Sequence, residues 1–325
     1  MNLSMIGCGR WGSLITWYLD RIGHRVTLYG RSDSEHFKAF AETRGNGLLT
    51  LPETVTLTSD LERACQAEIL LISVPSQRLR GLMEELRPLA LQNRVFVLCM
   101  KGIETESGKR LSEVVAETTH PSNRVAVWLG PGHVQEFLAG VPNCMVIDSL
   151  HNDLKARLVT AFSSDLIRFY YGEDLIGNEV GAASKNVIGI AAGILDGLGM
   201  STLKGALMSR GTHEIARLIE AMGGNPFSAY GLCHLGDYEA TVFSRYSHNR
   251  RFGECFARGE SYGELAEGYA TAAAMQVLAK RHGVELPICT AVYRILYEGA
   301  LPAEEIDRLF RRTLKRELGA KAVAE

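Results

Sequence analysis

Gly7, Gly9 and Gly12 form a GxGxxG triplet near the start of the chain. In such a triplet the first glycine permits a tight turn and the second lets a pyrophosphate approach the backbone. The third lets helix pack on strand, and the helix N-terminus offers its amides to the phosphates. The context suits this chemistry, because the triplet follows the apolar run Leu3 to Ile6 and opens an amphipathic stretch with Leu14, Ile15, Tyr18 and Leu19. The same glycines would also serve a tight turn without a ligand. About 20 residues beyond the triplet, an acidic side chain would hold a ribose 2′-hydroxyl. Here the chain reads Tyr29, Gly30, Arg31, Ser32, and Asp33 comes one or two residues late for that role. Arg31 and Ser32 suit a 2′-phosphate, which points to NADP ahead of NAD.

Reduction of a carbonyl also needs a proton donor, and a lysine of lowered basicity beside a carboxylate can supply it. Lys185 lies in GAASKNVIGI, an otherwise small or apolar stretch. On a buried helix its ammonium would be desolvated and its basicity reduced, whereas at a helix end it would snorkel to solvent. Asp237, in HLGDYEAT, follows a glycine-punctuated loop from which it can hold an ammonium group or cap a helix. Ser244 to Arg251 packs three arginines with Ser247, His248 and Asn249, a set suited to a phosphate or to an exposed basic loop. Lys101-Gly102 and Gly130-Pro131-Gly132 each follow an expected strand, at the sheet edge where open α/β folds place ligands. Either pair also suits an ordinary turn.

The elements that must position these residues follow from periodicity. Up to about Tyr171, short apolar runs alternate with amphipathic stretches, the rhythm of a mainly parallel, doubly wound α/β sheet. Seven runs read as strands: Leu3 to Ile6, Arg25 to Tyr29, Ile69 to Val74, Val95 to Cys99, Val125 to Leu129, Cys144 to Ile147 and Ile167 to Tyr171. Most are apolar on both faces, as expected of strands covered by helices on both sides. Beyond Tyr171 the segments are spaced for helices alone, so the division falls near Asn178, with a nucleotide-binding domain over 1–178 and an all-α domain over 179–325. The helix expected from Glu179 to Leu198 carries Gly181, Gly189, Gly193 and Gly197 along one face. Each costs about 1 kcal/mol relative to alanine, which close approach by a neighbouring helix would offset. The run from Arg308 to Arg316 reads as a solvated basic helix face.

The 325 residues suggest two domains at roughly 150 residues each. Balanced charge, with 35 basic and 37 acidic side chains, gives no electrostatic reason to bind nucleic acid or a membrane surface. The seven cysteines are scattered and never spaced as CxxC, so neither a disulfide framework nor a zinc site is indicated, and no metal is expected. With no secretory leader pattern and no apolar run of about 20 residues, the protein is expected to be cytoplasmic.

Taken in order, GCGRWG, VPSQ at Val74 to Gln77, KG at Lys101, GP at Gly130, KNVIGIAAG from Lys185, SRG from Ser209, LGD ending at Asp237, NRRFG from Asn249 and EGY from Glu267 resemble the bacterial-type NAD(P)-dependent glycerol-3-phosphate dehydrogenases. The resemblance covers nearly the whole chain. It implies a Rossmann-type domain followed by an all-helical one, and interconversion of dihydroxyacetone phosphate and sn-glycerol 3-phosphate for phospholipid synthesis. It implies that Lys185 is the proton donor and acceptor, with Asp237 beside it and Lys101 on the substrate. The fingerprint with Arg10 and Trp11 would hold the pyrophosphate, and Arg250 and Glu267 would lie near the cofactor. Gly130, Gly132, Ser247, His248 and Asn249 would lie near the substrate.

The chain departs from that pattern at three places. His248 stands where the family has an arginine, Gly132-His133-Val134 replaces a hydroxyl residue followed by an aromatic, and Tyr238-Glu239-Ala240 replaces an apolar segment. These changes keep open a dehydrogenase for another small hydroxylated or phosphorylated compound, and a dinucleotide sensor without turnover. A helical, glycine-striped second half makes a homodimer the expected assembly.

Overall fold

The computed structural model describes residues 1–313 and residue 317. Among these, eight strands form one sheet: β1 (Asn2–Ile6), β2 (Arg25–Tyr29), β3 (Thr56–Thr58), β4 (Ile69–Ile72), β5 (Val95–Leu98), β6 (Arg124–Leu129), β7 (Asn143–Asp148) and β8 (Ile167–Tyr171). Their order is β3-β2-β1-β4-β5-β6-β7-β8. The first six repeat the order of dinucleotide-binding sheets, whose topological switch opens a crevice at the carboxyl ends of β1 and β4. All neighbours run parallel except β6 and β7, where Trp128 pairs with Ile147.

The fold is therefore the expected doubly wound α/β sheet followed by helices. β3 was not among the seven expected strands: it is three residues long, reads Thr-Leu-Thr and lies at the sheet edge. Such a segment has too little apolar character to stand out from a loop.

The second half is organised by one long helix, Leu175–Gly197, which begins four residues before the expected start and takes Asn178 into its first turn. Every residue from Glu179 to Leu195 is buried, because helices Lys204–Ala221, His248–Ala257, Glu267–His282 and Pro287–Tyr297 pack around it. A helix apolar on all sides is stable only when surrounded in this way.

Gly189, Gly193 and Gly197 of the stripe serve the crossing with His248–Ala257, while Gly181 lies against His234. A Cβ on Gly193 would lie 1.9 Å from the Arg250 carbonyl oxygen, and one on Gly253 would lie 2.1 Å from that of Ile190. Two backbones in direct contact fix the start of the second helix beside the middle of the first. That crossing places Asn249 next to the turn bearing Lys185.

Helix Pro302–Phe310 includes Arg308; residues 314–316 of the expected basic run lie outside the described residues. Among the described residues no helix is long and apolar enough to cross a membrane.

Candidate active site

A cleft of about 870 Å³ runs along the carboxyl ends of the central strands and on to the helical half. Its floor begins at the glycine triplet. Gly7 has φ +115°, and a Cβ there would lie 2.1 Å from the Ser73 carbonyl oxygen; one on Gly12 would lie 2.1 Å from the Gly7 oxygen. Both glycines are therefore required by packing. At Gly9 an added Cβ would meet nothing within 4 Å, so the backbone is open to a ligand there. Helix Arg10–Arg21 starts on Gly9 with no side chain capping its first turn, which leaves its amides to an anion. The turn thus fits a dinucleotide's pyrophosphate.

Past β2, Arg31 lines the cleft, with Ser34, His36 and Arg78. The Arg31 guanidinium is held by Asp33, Nε to Oδ1 at 3.1 Å and Nη2 to Oδ2 at 3.2 Å. Ser32 is exposed and outside the cleft lining, which Ser34 joins instead.

The inner part of the cleft is built on one buried carboxylate. Asp237, 1% exposed, accepts from Lys101 Nζ at 2.6 Å and Lys185 Nζ at 2.9 Å, both on Oδ2. Its Oδ1 is buried without a hydrogen-bond partner among the described residues. Lys101 also donates to the Gly130 carbonyl at 2.6 Å, and Lys185 to the Thr241 hydroxyl at 2.7 Å. Two ammonium groups on one carboxylate leave a net positive charge, which favours an anionic ligand.

Lys185 does not snorkel: it is 7% exposed in the middle of the buried helix. Burial pulls its pKa down from 10.5 to about 8; Asp237 opposes the fall and Lys101 adds to it. Its ammonium, on the cleft side, is thus a stronger acid than that of an exposed lysine.

Residues 2–155 match the family described as NAD-dependent glycerol-3-phosphate dehydrogenase N-terminus, and residues 174–307 match its C-terminus. The chain belongs to the NAD-dependent glycerol-3-phosphate dehydrogenase family. It is 38% identical over 330 residues to a glycerol-3-phosphate dehydrogenase [NAD(P)+] of Thermoanaerobacter sp. (strain X514), covering 98% of this chain and 99% of that one. It is 39% identical to the enzyme of the same name from Halorhodospira halophila, covering 97% and 98%. Among solved structures, glycerol-3-phosphate dehydrogenase from Coxiella burnetii matches with a TM-score of 0.90 at 29% identity, covering 96% of this chain and 99% of that one. This protein is accordingly an NAD(P)-dependent oxidoreductase of the glycerol-3-phosphate dehydrogenase family.

Within this dehydrogenase scaffold, the expected site residues divide by what their side chains touch. Gly7, Gly9, Arg10, Trp11, Arg31, Lys101, Gly132, Lys185, Ser247, His248, Asn249 and Glu267 line the cleft. Gly132 is held at φ +146° with the Phe137 ring against it, an added Cβ meeting that ring at 2.2 Å. Ser247 caps helix His248–Ala257, its hydroxyl accepting from the Arg250 amide. Asn249 braces the site, donating to Asn186 Oδ1 at 3.0 Å and accepting from the Gly268 amide at 2.8 Å. Glu267 accepts from the Ser76 amide at 2.9 Å and so ties the helical half to the loop after β4.

Arg250 lies outside the cleft lining. Its guanidinium bonds Asp196 Oδ2 at 2.6 Å, Glu254 Oε2 at 2.9 Å and the Ser244 carbonyl at 3.2 Å, so its charge is used inside the helical half.

Thr241, Asn186 and Tyr262 were not singled out from sequence, and His133 was noted only as part of a departure from the family's pattern. Thr241 lies one helical turn beyond Asp237, and its hydroxyl donates to the Asp237 carbonyl at 2.7 Å; that spacing was the available signal. Asn186 directly follows Lys185. His133 lines the cleft, its Nε2 buried without a hydrogen-bond partner among the described residues. Burial, reinforced by the Lys185 charge, holds its ring neutral down to about pH 4.

Proposed function

We propose that the protein reduces dihydroxyacetone phosphate to sn-glycerol 3-phosphate, reversibly, with Lys185 as proton donor and acceptor at the substrate oxygen. The observation that carries this is the Lys101–Asp237–Lys185 cluster beside a dinucleotide-binding turn in one cleft. When bound, the nicotinamide supplies the hydride.

The chain's own residues do the rest. In reduction the Lys185 ammonium protonates the carbonyl oxygen, and in oxidation the neutral amine removes the hydroxyl proton. Asp237 positions Lys185 and stabilises its charged form, while Thr241 holds the amine from a second side. Lys101 is turned by Asp237 and the Gly130 carbonyl to face the substrate. The amides after Gly9 would hold the cofactor's pyrophosphate, and Glu267 fixes the wall between the two halves.

Arg31 supports NADP as the preferred cofactor, since a cationic side chain past β2 suits a 2′-phosphate, and Arg78, from the turn after β4, lines the same cleft. We divide the chain near Asn178 and take it to be a cytoplasmic homodimer. The free cysteines suit a reducing compartment, and Phe227, Leu301 and Phe310 expose apolar surface on the helical half.

Oxidation of NADPH and NADH, measured separately with dihydroxyacetone phosphate and with unphosphorylated dihydroxyacetone, tests the reading. Phosphate-dependent turnover, faster with NADPH, is expected. Cofactor binding without turnover on the phosphorylated ketone would contradict it.

A further inference from the structure

We propose that Arg10 presents its guanidinium to a phosphate oxygen of a ligand in this cleft, held across the seam between the two halves of the chain by His248 and Tyr262. The proposal rests on the reading above, in which both ligands carry phosphate. Arg10 Nη1 lies 2.6 Å from His248 Nε2. A guanidinium only donates, so Nε2 must accept and the ring proton resides on Nδ1. His248 Nδ1 lies 2.6 Å from the Tyr262 hydroxyl, which accepts that proton's bond.

The ring is therefore neutral in this arrangement and is not itself the phosphate-binding charge. The groups facing it agree: burial comes first, then Arg10 from the opposite half and Arg251 from its own helix, all favouring the neutral ring against Glu264. Arg251 also lies over the Tyr262 ring, 5.5 Å from its centre. The position that carries an arginine in the resembling family's pattern thus holds an acceptor here, and the positive charge comes from the glycine-turn helix.

The geometry suits an oxyanion. Arg10 and His248 are each the first residue of a helix, and both line the cleft that contains Lys101 and Lys185. The bond to His248 uses one of five guanidinium donors, so the fork retains others for a ligand. His248 and Tyr262 are positioning residues, because they act through Arg10.

The test uses the full-length protein with Arg10→Ala, His248→Ala, His248→Gln and Tyr262→Phe. It measures kcat and KM for dihydroxyacetone phosphate, kcat/KM for dihydroxyacetone, and Kd for NADPH and for inorganic phosphate. If Arg10 meets the substrate phosphate, Arg10→Ala lowers kcat/KM for the phosphorylated ketone by about tenfold to a hundredfold. Dihydroxyacetone kinetics and NADPH Kd then stay unchanged. If it meets the cofactor pyrophosphate, NADPH Kd rises by that factor instead. In either case His248→Ala and Tyr262→Phe shift the same constant in the same direction with kcat nearly retained, and His248→Gln, which keeps an acceptor, recovers most of the loss.

Arg10→Ala within twofold of wild type on every constant would overturn the proposal, as would failure of His248→Gln to recover anything. Should the wild type not reduce dihydroxyacetone phosphate, the functional reading fails, and the two Kd values still decide the role of Arg10.

Discussion

Lys185 Nζ and Asp237 Oδ2 lie 2.9 Å apart inside the helical half, and the same oxygen holds Lys101 at 2.6 Å. The carboxylate raises the Lys185 pKa against burial, and Lys101 lowers it. Removing the carboxylate charge with Asp237→Asn must therefore lower that pKa below about 8. Reduction needs the ammonium form, so the fall in rate with rising pH should move to lower pH, with a lower kcat. A profile that keeps its wild-type position would show that the pair is not coupled to the proton transfer.

Thr241→Val keeps the shape of a buried side chain but removes the hydroxyl that accepts from Lys185 at 2.7 Å. A hydrogen bond to a charged group contributes about 1.5–3 kcal/mol. We expect kcat to fall at least about tenfold, with NADPH Kd unchanged. Steady-state kinetics with an unaltered kcat would remove Thr241 from the mechanism.

Arg31→Ala should weaken NADPH more than NADH, because Arg31 lines the cleft beyond β2 where the ribose is expected. Comparison of the two KM values decides it. Equal losses for both cofactors would place the 2′-phosphate elsewhere.

Gly193→Ala should destabilise the fold by about 3 kcal/mol, at the upper end of ordinary overpacking. The added methyl would sit 1.9 Å from a backbone oxygen, which cannot swing aside as a side chain does. A thermal melt should show a drop of roughly 5–10 °C, and a Tm within a degree of wild type would contradict so tight a crossing.

How much of this was legible in the chain depends on whether the signal was local. The glycine triplet, the alternation of apolar runs and amphipathic stretches, and the glycine stripe are short-range patterns, and each appears in the structure as a turn, a parallel sheet and a close helix crossing. Lys185 stood out as a charge in an apolar stretch. β3 was hidden because three edge residues carry no periodicity, and the antiparallel β6–β7 pair because strand direction leaves no mark on a strand's own residues. The partners were less legible still. Tyr262 reaches His248 from a loop, and Arg10 reaches it from 238 residues away. The family resemblance put Arg250 near the cofactor, yet its guanidinium is bonded to Asp196 and Glu254.

The central claim, that Lys185 carries the proton, is tested most directly by the rate of dihydroxyacetone phosphate reduction against pH in wild type and Lys185→Ala. The wild-type rate should fall as pH rises through about 8, and the variant should lose orders of magnitude in kcat, about the 10²–10⁴ typical of a general acid, together with that limb, while binding NADPH normally. A variant that keeps both turnover and the limb near pH 8 would contradict the account.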